Sequence, residues 1–376
     1  MPDHAPPLTI GIEEEYLLVD VATRAVANDP PAELFAALHE RTEGRVFPEF
    51  LRSQIEVATP VCRTIAEARA SLVELRRTVI EECARHGLAP IAAATHPFSL
   101  SSKQKRTDKE RYVALLEEMQ GVARRMMICG LHVHIGIDDD ELRIDLMNQA
   151  RYFLPHLLAL SCSSPFWEGE RTGLMSFRLM IFNGIPRTGL PEKFTSWNEY
   201  RRHTDTLIET GILADTSRIW WDLRPSARYP TLETRIMDSC TTLEDSVRLA
   251  ALNQCLMRKL YCLRRDNQQW RPYSDLLIGE NRWRAMRYSY DAGLLDLGRQ
   301  RMVPFRQLVE EIIELLREDA IELDCLPEIE GLRDILGRGT SAHRQLRTFE
   351  TAVQLGATEA EAFNSVVDWL VEETAR

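Results

Sequence analysis

The segment LTIGIEEEYLLVD, residues 8–20, places three consecutive glutamates inside what otherwise reads as a buried strand. Its isoleucine, tyrosine, leucine and valine residues suit a half-buried pleated surface, whereas glutamate is depleted there. Because successive side chains of a strand point to opposite faces, Glu13 and Glu15 are predicted to share one face and Glu14 to occupy the other. The run is therefore either a charged edge strand or a strand whose carboxylates have a buried partner. On this interpretation Glu14 is a bystander, and its replacement by glutamine should be nearly silent.

The same alternation recurs in other short apolar segments. GLHVHIG places His132 and His134 on one face, TLETRIM pairs Glu233 with Arg235, and QIEVATP presents Glu56. Like charges on one sheet face are costly to desolvate unless they are paired or bound to a metal ion. Mg²⁺ prefers carboxylate oxygens and is often completed by substrate phosphates. Taken together, these strands predict a platform for Mg²⁺ and a nucleotide.

Each segment also has a simpler explanation when it is taken alone. The HxH pair could be half of a zinc site or two structural histidines, since catalytic zinc needs a third protein ligand. The Glu233 and Arg235 pair could be a surface cross-strand ion pair. Glu49 and Glu56 could be the exposed positions of a short segment. The recurrence of the pattern on several strands is what favours the platform.

Arginines supply the opposite charge in the middle of the chain, between residues 178 and 235. Guanidinium groups bind carboxylates and phosphates through two parallel hydrogen bonds. They could offset the negative charge of a nucleotide and of an acid substrate. These arginines are Arg178, Arg187, Arg224, Arg228 and Arg235.

The order of the predicted elements indicates the α+β class. Strands charged on one face only predict an antiparallel sheet with helices packed on its opposite face. Thr64 and Glu67 have capping-box spacing before an apolar stripe that ends at Cys83. Thr241 and Glu244 have the same spacing at the start of a mostly helical remainder.

Two further segments have less regular patterns. Residues 108–127 are predicted to form an amphipathic helix, and SFRLMIF at residues 176–182 a strand.

No internal repeat or low-complexity linker divides the chain. We therefore predict a single catalytic domain over residues 1–376, with a core at about 8–300 and a helical C-terminal region at about 301–376.

Composition excludes several classes of protein. The 376 residues are 44% hydrophobic and 27% charged, and the formal net charge of -11 argues against a nucleic-acid or anionic-membrane partner. No apolar run is long enough to span a membrane. The eight cysteines contain no CxxC pair, which is typical of reduced thiols in a cytosol. We expect a cytoplasmic protein.

At this level of detail the sequence resembles the carboxylate-amine ligases related to glutamate–cysteine ligase, the type 2 or YbdK-like family. The matching segments follow one another from residue 8 to at least residue 290, and several long matches in order are more specific than any single motif. They are GIEEEYLLV, EVATPVC, ATHPF, GLHVHIGI, LSCSSPFW, RLMIFNGIPRTGLP and WWDLRPSARYPTLETRIMD.

The resemblance implies a glutamine-synthetase-like fold, in which a curved antiparallel sheet forms the floor for Mg²⁺-ATP and an amino-acid substrate. Arg235 would contact the transferred phosphate or the substrate carboxylate, and Arg235 and Glu56 are the predicted catalytic residues. The predicted metal ligands are Glu13, Glu15, Glu49, Glu56, His132 and Glu233. The predicted substrate- or ATP-binding residues are Arg178, Arg187, Arg224, Arg235 and His134.

The chemistry implied by the resemblance is phosphorylation of a glutamate-like carboxylate by ATP, followed by attack of an amine on the acyl phosphate to form an amide. Weak glutamate–cysteine ligase activity is expected. The alternatives are a guanidino kinase-like phosphotransferase, a metal-dependent amide hydrolase and a non-catalytic nucleotide-binding protein. The long helices and the aromatic RYSYDAGLL segment suggest a homodimer.

Overall fold

The glutamate-bearing strand lies inside a seven-stranded antiparallel sheet. The computed structural model describes residues 5–376, without the side chains at positions 111 and 113–115. The strands are β1 (Ile10–Asp20), β2 (Val46–Pro48), β3 (Gln54–Ala58), β4 (Leu88–Ile91), β5 (Leu131–Gly136), β6 (Phe166–Trp167), β7 (Glu170–Arg171), β8 (Thr188–Gly189), β9 (Trp220–Trp221), β10 (Leu223–Pro225), β11 (Thr231–Thr234), β12 (Leu294–Asp296) and β13 (Arg301–Val303).

Helices make up most of the remaining regular structure. They are α1 (Ala32–Arg41), α2 (Ile65–Ala84), α3 (Glu110–Met119), α4 (Asp140–Ala150), α5 (Leu154–Ser161), α6 (Arg178–Phe182), α7 (Trp197–Glu209), α8 (Leu243–Arg265), α9 (Asp275–Tyr288), α10 (Phe305–Glu322), α11 (Leu326–Glu330), α12 (Leu332–Arg338), α13 (Ser341–Gln354) and α14 (Glu359–Thr374). None of the helices in this described part is long and apolar enough to cross a membrane.

The main sheet has the strand order β10-β11-β5-β1-β3-β2, and β4 pairs with the second half of β1. Helices α2 and α8 pack against β1 on one face of the sheet. The predicted stripe of α2 is fully buried there, from Ile65 through Leu72 to Cys83. The opposite face keeps the charged residues, as one-sided strand patterns predict.

The C-terminal helices α13 and α14 pack against the end of the sheet formed by β1 and β4. Phe349 of α13 and Phe363 and Leu370 of α14 are buried in one cluster with Leu17 and Ile91 from the β1–β4 end of the sheet. These helices therefore bury apolar surface of the sheet itself. Whether residues 1–376 act as a single catalytic domain stays a prediction.

Half of the capping box predicted for α2 forms, because the Thr64 side chain accepts a hydrogen bond from the Glu67 amide. The Glu67 carboxylate accepts from the Arg63 amide at 2.7 Å instead of that of Thr64. The second predicted cap is wrong. Helix α8 begins after Thr242, and the Thr241 hydroxyl instead bonds to the Ala92 carbonyl at 2.7 Å and to Ser341. Tertiary hydrogen bonds thus take the hydroxyl that sequence spacing assigned to the helix.

Two segment predictions also need correction. The helix predicted over residues 108–127 ends at Met119, and a 3-10 turn at Ala123–Arg125 follows it. The strand predicted at residues 176–182 is helix α6. A short apolar run carries too few periods to separate a helix from a strand.

Glu14 does lie on the face opposite Glu13 and Glu15, but the bystander interpretation is wrong. Its carboxylate is fully buried and accepts hydrogen bonds from Arg76 at 2.8 Å and 2.7 Å. The hydroxyls of Tyr16 and Ser246 also donate to it. Burial raises the pKa of Glu14, but Arg76 and the two hydroxyls outweigh it and hold that pKa below its ordinary value. Glu14 thus joins β1 to α2 through Arg76 and to α8 through Ser246.

We expect Glu14→Gln to lower the free energy of unfolding by about 3–5 kcal/mol, because it leaves the Arg76 charge buried without its partner. Urea unfolding followed by circular dichroism measures this. Since the folded-state pKa lies below 4.5, the stabilisation is complete above that pH and disappears as pH falls through the folded value. The difference between variant and wild type should therefore shrink in acid. Equal stability of the two proteins at pH 7 would contradict the assigned role.

Candidate active site

The register of the antiparallel strands brings the predicted acids and histidines together on one face. Glu13 of β1 lies opposite His132 of β5, and Glu15 lies opposite Glu56 of β3. On the next strand Glu233 lies opposite His134. A single continuous row of polar residues therefore crosses β11, β5, β1 and β3.

Glu13 is the centre of this row. Its carboxylate oxygens lie 3.3 Å from His132 Nδ1 and 3.3 Å from His134 Nε2. Two groups of potential ligand atoms share it, one with His134 and Glu233 and one with His132 and Glu56. In each group the three ligand atoms lie within 4.8 Å of one another. His134, predicted to bind substrate or ATP, is thus as close to the acids as His132.

The acids of this face repel one another, and the charges of the nearby arginines offset the repulsion only in part. Burial and the charge of Glu49 raise the pKa of Glu15 to about 7. Burial and the charges of Glu13, Glu49 and Glu15 raise the pKa of Glu56 well above its ordinary value. The face therefore favours any positive charge that can settle between these carboxylates.

The two histidines respond to different neighbours. Burial lowers the pKa of His132 to about 4, helped by the positive charge of Arg235. Burial also opposes the charge on His134, but Glu13 and Glu233 outweigh it and raise that pKa. A neutral imidazole at His132 leaves a nitrogen lone pair available to a cation.

The residues fit a divalent cation. The buried Nε2 atoms of His132 and His134 have no hydrogen-bond partner. His132 Nε2 lies 3.9 Å from a carboxylate oxygen of Glu15, and His134 Nε2 lies 3.3 Å from one of Glu13. Carboxylate oxygens are the preferred ligands of Mg²⁺ and Mn²⁺, and imidazole nitrogen is a softer ligand. Glu49 lines the same cavity outside both three-ligand groups, and its carboxylate accepts from the Phe50 amide at 3.2 Å.

Three arginines border the acids, and two of them share one carboxylate. Arg224 donates to Glu233 at 2.8 Å and 3.2 Å, and Arg235 donates to the same side chain. Burial would raise the pKa of Glu233, yet the two guanidinium groups hold it well below its ordinary value. Glu233 is therefore charged at neutral pH, and the two guanidinium groups already balance its negative charge.

Arg178 reaches the face from α6 through a gap left by glycine. A Cβ on Gly130 would lie 2.4 Å from Arg178 Nη2 and 2.9 Å from His132 Nε2. The Gly130 amide also donates to Glu15 at 2.7 Å. The absence of a side chain at this position lets one arginine and one histidine approach the same backbone segment.

These residues line a cavity of about 470 Å³. Arg187 is not among the residues that line it, because its guanidinium bonds to Glu118 at 3.3 Å and packs over the Trp220 ring. Arg228 lies at the rim and is exposed. Of the arginines singled out in the sequence, Arg178, Arg224 and Arg235 therefore reach the acidic floor.

The sequence patterns did not predict several other residues that line the cavity. Some lie in segments whose pattern indicated only a helix or a strand, and nothing local marks them as part of a site. The repeated aromatic and basic residues near position 220 were the one available signal. The missed residues include Gln54, Lys109, Tyr112, Arg218, Trp220 and Tyr229.

We expect Glu56→Gln to stabilise the metal-free protein, because it removes a buried charge that three neighbouring acids oppose. The folded-state pKa of Glu56 is raised, so the cost of its charge begins above the ordinary value of 4.5 and grows as pH rises towards the folded value. Thermal unfolding in EDTA at pH 5 and pH 8 measures the difference. The variant should gain more at pH 8, and a loss of stability at pH 8 would contradict the repulsion described.

Comparison with known proteins identifies the family. A family model described as glutamate-cysteine ligase family 2 matches residues 9–368. A protein of Rhodospirillum rubrum named "Putative glutamate--cysteine ligase 2" is 55% identical over 373 residues, which cover 98% of this chain and 96% of the relative. A Paracoccus denitrificans protein of the same name is 52% identical over 371 residues, covering 99% and 98%.

Solved structures show the same fold at low sequence identity. Glutamate–cysteine ligase from Francisella tularensis in complex with AMP has a TM-score of 0.69 at 13% identity, covering 98% of this chain and 89% of that one. A bifunctional glutathione synthetase from Pasteurella multocida has a TM-score of 0.68 at 15% identity, covering 97% and 52%. The α+β, glutamine-synthetase-like fold expected from the sequence is confirmed. The chain belongs to glutamate–cysteine ligase family 2, and with it to the ATP-dependent ligases that form carbon–nitrogen bonds.

Proposed function

We propose that this ligase activates a glutamate-like carboxylate by phosphorylation and joins it to an amine through an acyl phosphate. The observation that carries the proposal is the face on which two three-ligand groups share Glu13 and three arginines stand beside them. Such a face can hold a nucleotide's phosphates and an acid substrate at once. Glutamate and cysteine are the first substrate pair to test, and weak activity with them is expected.

The first step joins a substrate carboxylate oxygen to the γ-phosphorus of ATP and breaks the bond to the leaving ADP oxygen. Negative charge spreads over the transferring oxygens, so the protein's contribution is positioning and charge stabilisation. Arg235 suits this role because burial holds its guanidinium beside Glu233, 3.5 Å from His132 Nδ1. In the second step the amine nitrogen attacks the acyl carbon, and inorganic phosphate leaves.

Glu13, Glu15, Glu56, His132 and Glu233 would hold divalent cations, and His134 offers one further ligand atom beside Glu13. When bound, Mg²⁺ supplies charge neutralisation between the carboxylates and the phosphate oxygens. Glu56 belongs to the same ligand group as Glu13 and His132, so its expected catalytic role is to help hold the cation. The proton that the amine loses in the second step can leave on the inorganic phosphate. Arg224 fixes the orientation of Glu233 from β10.

A hydroxamate assay tests the proposed reaction directly. The protein is incubated with ATP, Mg²⁺, glutamate and hydroxylamine, because an acyl phosphate is trapped by hydroxylamine as a hydroxamate that iron(III) colours. We expect hydroxamate and ADP in equal amounts. Arg235→Met should lower the rate by about 10³-fold, as loss of a phosphoryl-contacting arginine does. Arg317→Met is the matched control and should keep most of the activity, because Arg317 of α10 contacts Glu314 and Glu330 and does not line the cavity.

Each other outcome corresponds to one of the alternative functions. Phosphorylation of a guanidino acceptor without hydroxamate would identify a phosphotransferase. Cleavage of a γ-glutamyl amide without ATP would identify a hydrolase, and nucleotide binding without turnover over a panel of acids and amines would identify a non-catalytic protein. Equal activity of Arg235→Met and Arg317→Met would show that the cavity described is not the active site.

Cation binding can be tested without turnover. We expect Mg²⁺ or Mn²⁺ to raise the melting temperature of the wild-type protein in a concentration-dependent way, since a ligand that binds the folded state stabilises it. Glu13→Gln should lose most of this shift because Glu13 belongs to both ligand groups. Glu33→Gln, at an exposed position of α1, is the control and should shift like wild type. An unchanged shift in Glu13→Gln would place the cation elsewhere.

A further inference from the structure

The buried carboxylate of Asp238 has an unusually complete set of donors behind the acidic floor. It follows β11 and is fully buried. It accepts hydrogen bonds from the Ser163 amide at 2.9 Å, the Ser164 hydroxyl at 2.8 Å and the Ser176 hydroxyl at 2.9 Å. These serines come from the LSCSSP and SFR segments, and the proposed reaction assigns no role to any of the three. A carboxylate held by three donors has one orientation.

Arg178 is the group that this carboxylate faces. Its Nη1 atom lies 3.9 Å from Asp238 Oδ1, and its guanidinium donates to the carbonyls of Arg235 at 3.2 Å and Ile236 at 3.4 Å. Its backbone amide donates to the Ser164 hydroxyl, which itself donates to Asp238. The side chain and the backbone of Arg178 are thus fixed by the same network.

The three arginines of the cavity are not equally available to a ligand. Arg224 and Arg235 both donate to Glu233. Within the described structure Arg178 makes no hydrogen bond to a carboxylate, and its buried Nε atom, like that of Arg235, has no partner. Its guanidinium nevertheless lines the cavity beside Glu15. A buried cation with its counter-charge at 3.9 Å keeps hydrogen-bond donors for an incoming anion.

The backbone links the same residues a second time. Asp238 forms a β-bridge with Gly130, the residue whose missing side chain makes room for Arg178. Gly130 also holds Glu15 through its amide. A displacement of Asp238 would therefore reach Arg178 and the acidic floor through contacts that are all buried.

We propose that Asp238 and its serine donors are a positioning device for Arg178, which binds an anionic oxygen of a substrate in the cavity. This inference rests on the proposed function. The oxygen belongs either to the carboxylate of the acid or to a phosphate of the nucleotide, since a guanidinium binds both. Asp238 touches neither, and it acts by holding a flexible side chain in one conformation, which removes an entropic cost from binding.

A double-mutant cycle in the hydroxamate assay tests the inference. Asp238→Asn keeps the side-chain shape but removes the charge, and we expect it to lower kcat/KM on the order of 10- to 100-fold, as small displacements of binding groups do. Arg178→Met should lower kcat/KM at least as much. In the Arg178→Met background Asp238→Asn should have almost no further effect, because the group through which it acts is gone.

The KM values identify the bound oxygen. A rise in the KM for glutamate in both single variants assigns Arg178 to the acid, whereas a rise in the KM for ATP assigns it to the nucleotide. Either result supports the positioning role. Ser176→Ala removes one donor to Asp238 and leaves the charge, so it should show a smaller fall with the same dependence on Arg178, and it serves if Asp238→Asn does not fold.

Asp319→Asn is the matched control. Asp319 is also a buried aspartate paired with an arginine, Arg258 at 2.6 Å, but it joins α10 to α8 away from the cavity. It should lower the melting temperature without changing either KM. The inference alone would be overturned if Asp238→Asn lowered kcat/KM by the same factor in the wild-type and the Arg178→Met backgrounds. A loss of stability with unchanged KM values would also overturn it. An inactive wild-type protein would overturn the proposed function and the inference with it.

Discussion

The antiparallel register of β1 with β3 and β5 is the constraint on which the rest of the structure depends. Because the side-chain period of a strand is two residues, a slip by one position would exchange every residue between its two faces. It would send Glu14 to the cavity, and Glu13 and Glu15 to the helices. The buried Glu14–Arg76 pair opposes such a slip, since the slip would take Glu14 away from its guanidinium and hydroxyl partners and bring two carboxylates to the helix side. The polar row of the active site is therefore fixed from behind the sheet.

The two faces of this strand handle charge in opposite ways. On the helix side, Glu14 has a cation and two hydroxyls of its own, so its charge stabilises the fold. On the open side, Glu15 and Glu56 have raised pKa values because burial and neighbouring acids oppose their charges. The fold tolerates this unfavourable side because the favourable side and the apolar core secure the same strand. Of the three consecutive glutamates, Glu14 therefore stabilises the fold, and Glu13 and Glu15 belong to the candidate active site.

Strand parity was enough to predict most of the site. Glu13, Glu15, His132, His134 and Glu233 fall on one face because alternation requires it, and the structure brings them together through long-range pairing. Parity alone could not tell that Glu14 has a partner, since Arg76 lies 62 residues away on a helix whose pattern reads as a plain apolar stripe. It also could not separate Arg187 from Arg178. Loops and a short helix place those two side chains, and no periodic pattern describes such segments.

Gly130 joins the cationic and anionic parts of the cavity in a way that concerns how the protein can change. A methyl group there would meet Arg178 at 2.4 Å and His132 at 2.9 Å, so one added carbon disturbs the arginine proposed to bind an anion and a potential cation ligand together. Its amide also anchors Glu15. Under the proposed function, a side chain at this position would change the affinity for the anion and for the cation together. A change of ligand preference is therefore expected from substitutions at the rim of the cavity, which do not alter the backbone segment beside the acidic face.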